Sequence, residues 1–239
     1  MPDTPSLAAT DVLILCGGLG TRLRPILTDR PKPMAEIGGR PFLDLLIGYV
    51  SSLGFRRFIL CVGHMGNLVE SYFKDRYPSL EISLSEEKTP LGTAGALKHA
   101  EHLVRSELFF AMNGDSFCKV DMRDMLRFHR RNRAQLTLAL TRVEDVRDYG
   151  SIGLAEDKSI TRFHEKSEDG EAGWINAGIY CFDRNVLRKF LPGKKLSLEV
   201  DVFPSWLGQG IFGYETRERL FDIGTPERLE LAQKELKLL

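Results

Sequence analysis

The sequence predicts an α/β chain: a doubly wound, mostly parallel sheet with an added lobe of mixed strands. Three observations predict it. Short apolar runs alternate with stretches of helical spacing through the first half, a glycine-rich loop follows the first run at once, and the second half turns to consecutive strands. In order, residues 12–16 predict a short buried strand. Phe42, Leu45, Leu46, Tyr49, Val50 and Leu53 recur at helical spacing, with Gly54 as a natural stop. Residues 58–62 predict a strand, 68–73 a helix, 80–84 an alternating strand and 92–104 a helix; the apolar run 108–112 leads into Asn113-Gly114-Asp115. This alternation favours parallel strands whose crossovers cover both faces. Beyond it, 135–142 reads as a strand, 151–154 and 159–164 as a hairpin around Glu156-Asp157-Lys158, and 174–182 as a strand. Residues 185–190 and 198–207 predict helices, and 225–239 an amphipathic closing helix. The expected organisation is one domain over 11–239, with residues 1–10 as a loose tail.

Composition narrows the function classes. The chain has 239 residues, 43% hydrophobic and 28% charged, enough to bury roughly 70% of its extended surface without a disulfide or structural metal. Lys and Arg number 33 and Asp and Glu 33, so the net charge is zero, which argues against partnership with nucleic acid or an anionic membrane surface. The longest apolar runs stop at five residues, against the ~18 needed to span a bilayer, and the first ten lack the features of a secretory signal. Cys16, Cys61, Cys118 and Cys181 form no close pair, as expected of buried free thiols in a reducing cytoplasm. The five histidines are expected on the surface, and Arg127, His129, Arg130, Arg131 and Arg133 as the solvated end of a helix, where cations complement the dipole.

The loop Gly17-Gly18-Leu19-Gly20-Thr21-Arg22 leaves a strand end, where open α/β sheets place their ligands. Glycines there let backbone N–H groups approach phosphate oxygens. Leu23 stands where a dinucleotide fingerprint needs its third glycine, and Gly193-Lys194 continues with Lys195, which excludes a Walker loop. Arg22 and Lys32 set two cations beside the loop, suited to a triphosphate and a departing pyrophosphate. Pro31 and Pro33 restrict the backbone that carries Lys32. In Pro90-Leu91-Gly92-Thr93-Ala94-Gly95-Ala96, Thr93 reads either as an N-cap or as the start of a helix that offers its N-terminus to negative charge. Asp115 and Asp222 read either as caps or as ligands of Mg²⁺, which takes one or two carboxylates plus phosphate oxygens.

With G-G-x-G-T-R-L and P-K-P matched from Gly17 to Pro33, the chain resembles the sugar-1-phosphate nucleotidyltransferases (NDP-sugar pyrophosphorylases) from about Asp11 to the C-terminal helix. The resemblance implies a Rossmann-like sheet of the nucleotidyltransferase (GT-A-like) fold, with a nucleotide-binding half over 11–133 and a sugar-phosphate-binding half over 134–224. It implies that an NTP and a sugar 1-phosphate give an NDP-sugar and pyrophosphate, with Mg²⁺ held between Asp115 and Asp222. Leu15, Gly17, Gly18, Gly20, Thr21, Glu87, Gly92, Thr93 and Asn113 would line the nucleotide, and Arg22 and Lys32 would be catalytic. Lys166 would hold the acceptor phosphate, Glu165 and Asn176 the sugar hydroxyls, and Gly150 would allow close backbone approach. Two positions depart from the pattern: Ser167 stands where many members have proline, and Phe221 where tryptophan is frequent.

Among short chains the combination is most similar to D-glycero-α-D-manno-heptose 1-phosphate guanylyltransferases, which implies GTP, a heptose 1-phosphate and a surface glycan product. Mannose-1-phosphate guanylyltransferases, glucose-1-phosphate cytidylyltransferases and N-acetylmuramate-1-phosphate uridylyltransferases share parts of it. A catalytically silent sensor of sugar nucleotides is the alternative outside enzymes, opposed by the presence of Arg22, Lys32, Asp115 and Asp222. The expected partners are the NTP and the sugar 1-phosphate, in a monomer or small homo-oligomer.

Overall fold

The structure, a computed structural model, describes residues 6–18, 23, 27–164 and 170–236. The first strand, β1 (Asp11–Leu15), is buried along almost its whole length, as a strand covered on both faces must be. A small hairpin of β2 (Glu36–Ile37) and β3 (Arg40–Pro41) leads into α1 (Phe42–Ser52). Next come β4 (Arg57–Val62), α2 (Gly66–Phe73), β5 (Glu81–Glu86), α3 (Gly92–His99), β6 (Leu108–Asn113), β7 (Ser116–Phe117) and α4 (Met122–Arg131). The second half holds β8 (Leu136–Val143), the hairpin β9 (Ser151–Leu154) and β10 (Ile160–His164), the long β11 (Gly173–Asp183), β12 (Ile211–Thr216), β13 (Phe221–Asp222) and α5 (Pro226–Glu235).

Among the described residues, nine strands make one sheet. Its main path runs β10-β9-β11-β6-β1-β4-β5, with β8 against β11 and β12 against β8. The four strands β5, β4, β1 and β6 are parallel, as the alternating first half predicts. The second half joins through β11, which runs antiparallel to β6. Alternate residues of β1 serve opposite faces. Val12 and Ile14 pack with Phe42, Leu46 and Val50 of α1 and with Met125 of α4, while Leu13 packs with Phe109, Leu97 of α3 and Phe203. No helix among the described residues is long and apolar enough to cross a membrane, and all four cysteines are free and buried.

Several expectations change. Leu7, placed in a loose tail, is 7% exposed and belongs to the core, in a 3-10 turn at Leu7–Ala9; one leucine docked beside Gly54 suffices to tie down the segment. The helix expected over 92–104 stops at His99 and continues as a 3-10 turn, Ala100–Leu103. The expected helices at 185–190 and 198–207 are short pieces, a 3-10 helix at Arg184–Lys189 and single turns at Leu198–Val202 and Pro204–Trp206, the last beginning at Pro204, which cannot donate to a helix continuing from before it. The strand β12 and the pair β7 and β13, two residues each, gave no periodic signal.

His129 also departs from expectation. It lies in the basic last turn of α4 but points inward, 1% exposed, with Nδ1 2.9 Å from Thr137 Oγ1 on β8. Burial lowers its pKa from the ordinary 6.5 to about 4, with Arg130 acting in the same direction and Asp183 against it. The unfolded chain therefore binds more protons than the folded one between those values. Stability should be greatest above pH 6.5 and fall as the pH drops towards 4, by at most about 3 kcal/mol from this group. Urea unfolding at a series of pH values should show this slope in the wild type and a flatter one between pH 6.5 and 5 in His129→Gln; equal slopes would refute the assignment.

Candidate active site

The carboxyl ends of β1, β4 and β6 lie side by side, with Leu15 paired to Cys61 on one flank and to Asn113 on the other. Of the expected residues, Leu15, Gly17, Gly18, Lys32, Thr93, Asn113 and Asp115 line one cavity of about 270 Å³, together with Gly224 from just beyond β13. Gly20, Thr21, Arg22, Glu165 and Lys166 lie outside the described residues.

Close backbone approach accounts for two glycines at the strand ends. A side chain on Gly17 would come within 2.9 Å of Glu87 Oε1, and one on Gly114 within 2.7 Å of the Leu15 carbonyl, to which the Gly114 N–H donates at 3.0 Å. Glu87 accepts from the Leu91 N–H through Oε2 at 3.2 Å, and its burial raises its pKa. Asn113 ends β6 with its Oδ1 buried and without a hydrogen-bond partner among the described residues. A buried amide oxygen in that state costs free energy until a donor reaches it.

At the second loop a carbonyl of the chain takes two of the N–H groups that open the helix. Ala94 and Gly95 donate their N–H groups to the Leu196 carbonyl at 2.9 and 3.1 Å, so a protein oxygen closes the start of α3. Thr93 is not an N-cap. Its hydroxyl accepts from the Leu198 N–H at 2.7 Å and donates to Glu199 Oε2 at 3.0 Å. Gly92 and Gly95 are required by the crossing segment, because side chains there would come within 2.6 Å of the Leu196 oxygen and 2.7 Å of the Lys194 oxygen. Gly92 also has φ +73°, a value that favours glycine.

On the other side, β11 carries two more residues than β8 between the pairs Asn176–Leu140 and Tyr180–Leu138. The resulting bulge, with Gly178 at φ +73°, re-aims Asn176. Asn176 donates to the Tyr180 hydroxyl at 2.8 Å and accepts from the Gly178 N–H at 2.9 Å. Tyr180 in turn donates to Glu199 Oε1 at 3.4 Å. Asn176 is thus clamped, with one amide hydrogen and one oxygen lone pair still to offer. Gly150 sits against the His164 carbonyl, 2.9 Å from where a side chain would begin.

The two candidate metal carboxylates lie on adjoining segments. Antiparallel pairing of β7 with β13 sets Asp222 beside Ser116, and the Ile223 N–H donates to the Asp115 carbonyl at 3.0 Å. Asp115 forms an ion pair with Lys32, which the proline-flanked turn Lys32–Met34 holds at 14% side-chain exposure. Asp222 accepts from Arg228 Nη1 at 3.0 and 3.2 Å, from the Gly224 N–H at 2.9 Å and from the Tyr149 hydroxyl at 3.4 Å. The capping role that Asp222 could have taken belongs to Thr225, which accepts from the Arg228 N–H at 3.4 Å, with Pro226 at the first helical position. Two hard oxygen donors fit Mg²⁺, and no larger group of His, Cys, Asp or Glu gathers among the described residues, so an ion here would complete its shell with phosphate oxygens.

Sequence reasoning missed Tyr180, Glu199 and Arg228. A signal existed for Arg228: it sits in the first turn of α5, where a cation opposes the helix dipole and needs an anionic partner. Tyr180 and Glu199 gave none, because each reads as an ordinary strand or turn residue.

A family model described as Nucleotidyl transferase matches residues 11–237. Mannose-1-phosphate guanylyltransferase of Mycobacterium tuberculosis is 38% identical over 221 residues, which cover 91% of this chain but 62% of that one, so the chain spans less than two thirds of that relative. D-glycero-alpha-D-manno-heptose 1-phosphate guanylyltransferase of Aneurinibacillus thermoaerophilus is 36% identical over 228 residues, covering 95% of this chain and 98% of that one. The crystal structure of HddC from Yersinia pseudotuberculosis superimposes with a TM-score of 0.83 at 32% identity, covering 95% of this chain and 99% of that one; a second structure of HddC, complexed with GMP-PN, gives 0.82.

Gly92→Ala should test the closure of α3 by the Leu196 carbonyl. The added methyl meets that oxygen at a backbone angle alanine avoids, and calorimetry should read a loss of about 2 kcal/mol. A melting temperature equal to wild type would refute the close approach.

Proposed function

Because the chain belongs to the nucleotidyl transferase family, we propose that it moves a guanylyl group from GTP to D-glycero-α-D-manno-heptose 1-phosphate and releases pyrophosphate. The reading is carried by one convergence: the glycine-bordered end of β1, the held cation Lys32 and the carboxylate Asp115 meet at a single cleft, with Asp222 on the strand paired to Ser116 beside it. Guanine is supported by Glu87. The Watson–Crick edge of guanine presents two adjacent N–H donors, and a carboxylate accepts two in parallel, which no other common base matches. The heptose is supported by the relative of that name, of which this chain spans 98%. Mannose 1-phosphate is the second reading, favoured by the mycobacterial relative at 38% identity. The two sugars share the manno ring and differ by one carbon on its side chain, so the sugar lobe alone discriminates them.

An oxygen of the acceptor phosphate attacks the α-phosphorus of GTP in line; a P–O bond forms there as the bond to pyrophosphate breaks. Lys32 and Arg22 stabilise charge on the transferred and departing phosphates. Asp115 and Asp222 would hold Mg²⁺, which when bound neutralises phosphate charge and supplies electrostatic stabilisation. Lys166 holds the acceptor phosphate, with Glu165 and the clamped Asn176 on sugar hydroxyls. Asn113 Oδ1 takes a hydroxyl donor from a bound substrate, which relieves its unpaired state. No protein nucleophile is required. We place the reaction in the cytoplasm, where nucleoside triphosphates are made and where the four thiols stay reduced.

Pyrophosphate release with Mg²⁺ should be measured for all four NTPs against heptose, mannose, glucose and N-acetylmuramate 1-phosphates. GTP with the heptose should dominate; dominance of mannose would move the sugar assignment, and silence with tight nucleotide binding would leave a sensor. Asp115→Ala should lose about 100-fold or more in kcat with an unchanged melting curve. Glu87→Gln should lower kcat/KM for GTP about tenfold or more while sparing UTP by comparison. Because burial raises the Glu87 carboxyl, GTP affinity should begin to fall on acidification before an exposed glutamate would protonate. Equal affinity for GTP across that range would remove Glu87 from base recognition.

A further inference from the structure

Arg228 occupies an unusual position. It stands in the first turn of α5, against the dipole, and its guanidinium is shared between two carboxylates, Asp222 at 3.0 Å and Asp148 at 2.8 Å. The guanidinium also lies over the Tyr149 ring, 4.9 Å from the centroid, and Tyr149 sends its hydroxyl to the same Asp222. The pair with Asp222 is largely sheltered, with side-chain exposures of 24% and 15%, so solvent and salt screen it less than an exposed ion pair. Asp115, on the adjoining segment, is paired with Lys32. Each of the two carboxylates expected to take a divalent ion therefore already carries a cation of the chain.

We infer that Arg228 is a positioning residue that holds Asp222 as its counter-ion until substrate phosphates arrive, so that a divalent ion enters this site with the nucleotide and not ahead of it. The inference rests on the metal assignment of the proposed function. A free divalent ion meets two carboxylates whose charge is already neutralised and must displace a guanidinium that donates to both oxygens of Asp222. A metal–triphosphate complex brings its own oxygen ligands and its own negative charge, and asks for one carboxylate oxygen in place of a full shell. Asp148 and the Tyr149 ring keep Arg228 anchored when Asp222 is released, so the guanidinium stays near the cleft and no charge is left buried and unpaired.

The test reads metal binding without turnover. Mn²⁺, visible by electron paramagnetic resonance, is titrated into nucleotide-free protein. Wild type should bind it weakly, and Arg228→Met, which keeps the aliphatic stem over Tyr149, should bind at least about tenfold more tightly because the competing cation is gone. Arg228→Lys keeps the charge and should stay near wild type. Adding Asp222→Asn to Arg228→Met should abolish the gain. Circular dichroism melts establish that each variant is folded; an unfolded Arg228→Met passes the comparison to Arg228→Gln, with the same expectation. Wild type binding as tightly as the variant, or a gain that survives Asp222→Asn, overturns the inference. Turnover that needs no divalent ion overturns the metal assignment beneath it, whereas metal-dependent turnover with no gain in the variants overturns the role of Arg228 alone.

Discussion

Asp115 and Asp222 each need a counter-charge in a partly sheltered site, and the structure around them supplies one to each. Asp115 and Asp222 come from positions far apart in the chain and are brought onto adjoining segments by a two-residue ladder between β7 and β13. The ladder alone would be too short to hold like charges together. Lys32 and Arg228 reinforce it by pairing with one carboxylate each, the first from a proline-flanked turn after the first loop, the second from the closing helix. Four segments of the chain are thereby committed to one spot.

A second closure joins the two halves at the other wall. The Leu196 carbonyl completes the start of α3, and Thr93 and Ser197 both donate to Glu199, which also receives the Tyr180 hydroxyl. The chain Thr93–Glu199–Tyr180–Asn176 thus links the loop that follows Glu87 to the bulge of β11. A hydroxyl or amide in such a network loses its rotational freedom. The glycines at 92 and 95 serve this closure.

Much of the fold was legible in the sequence because its signals are local. Buried parallel strands such as β1 and β6 read as apolar runs with no alternation, and α1 as an apolar stripe ended by Gly54. The strands β7 and β13 went unread because two residues have no period to detect, and the helix expected over 198–207 proved to be two single turns, Leu198–Val202 and Pro204–Trp206. His129 was misplaced for a related reason. Its neighbours Arg127, Arg130 and Arg131 mark a charged helix end, yet the helical period carries position 129 round to the core.

The sequence by itself determined the parallel half of the sheet, the strand ends at which a site forms, and most of the residues that line it. Glycine, proline, lysine and aspartate at fixed offsets carry their chemistry wherever the backbone goes, so Gly17, Lys32 and Asp115 could be named before any contact was known. Only the tertiary structure decided which alternative each residue takes up. Thr93 bridges to Glu199 instead of capping, α3 is closed by a carbonyl instead of standing open, and Asp222 pairs with Arg228 while Thr225 does the capping. The reason is physical: a hydroxyl, an amide or a carboxylate satisfies the nearest partner of opposite polarity, and that partner is supplied by a distant segment whose arrival depends on the packing of the whole sheet.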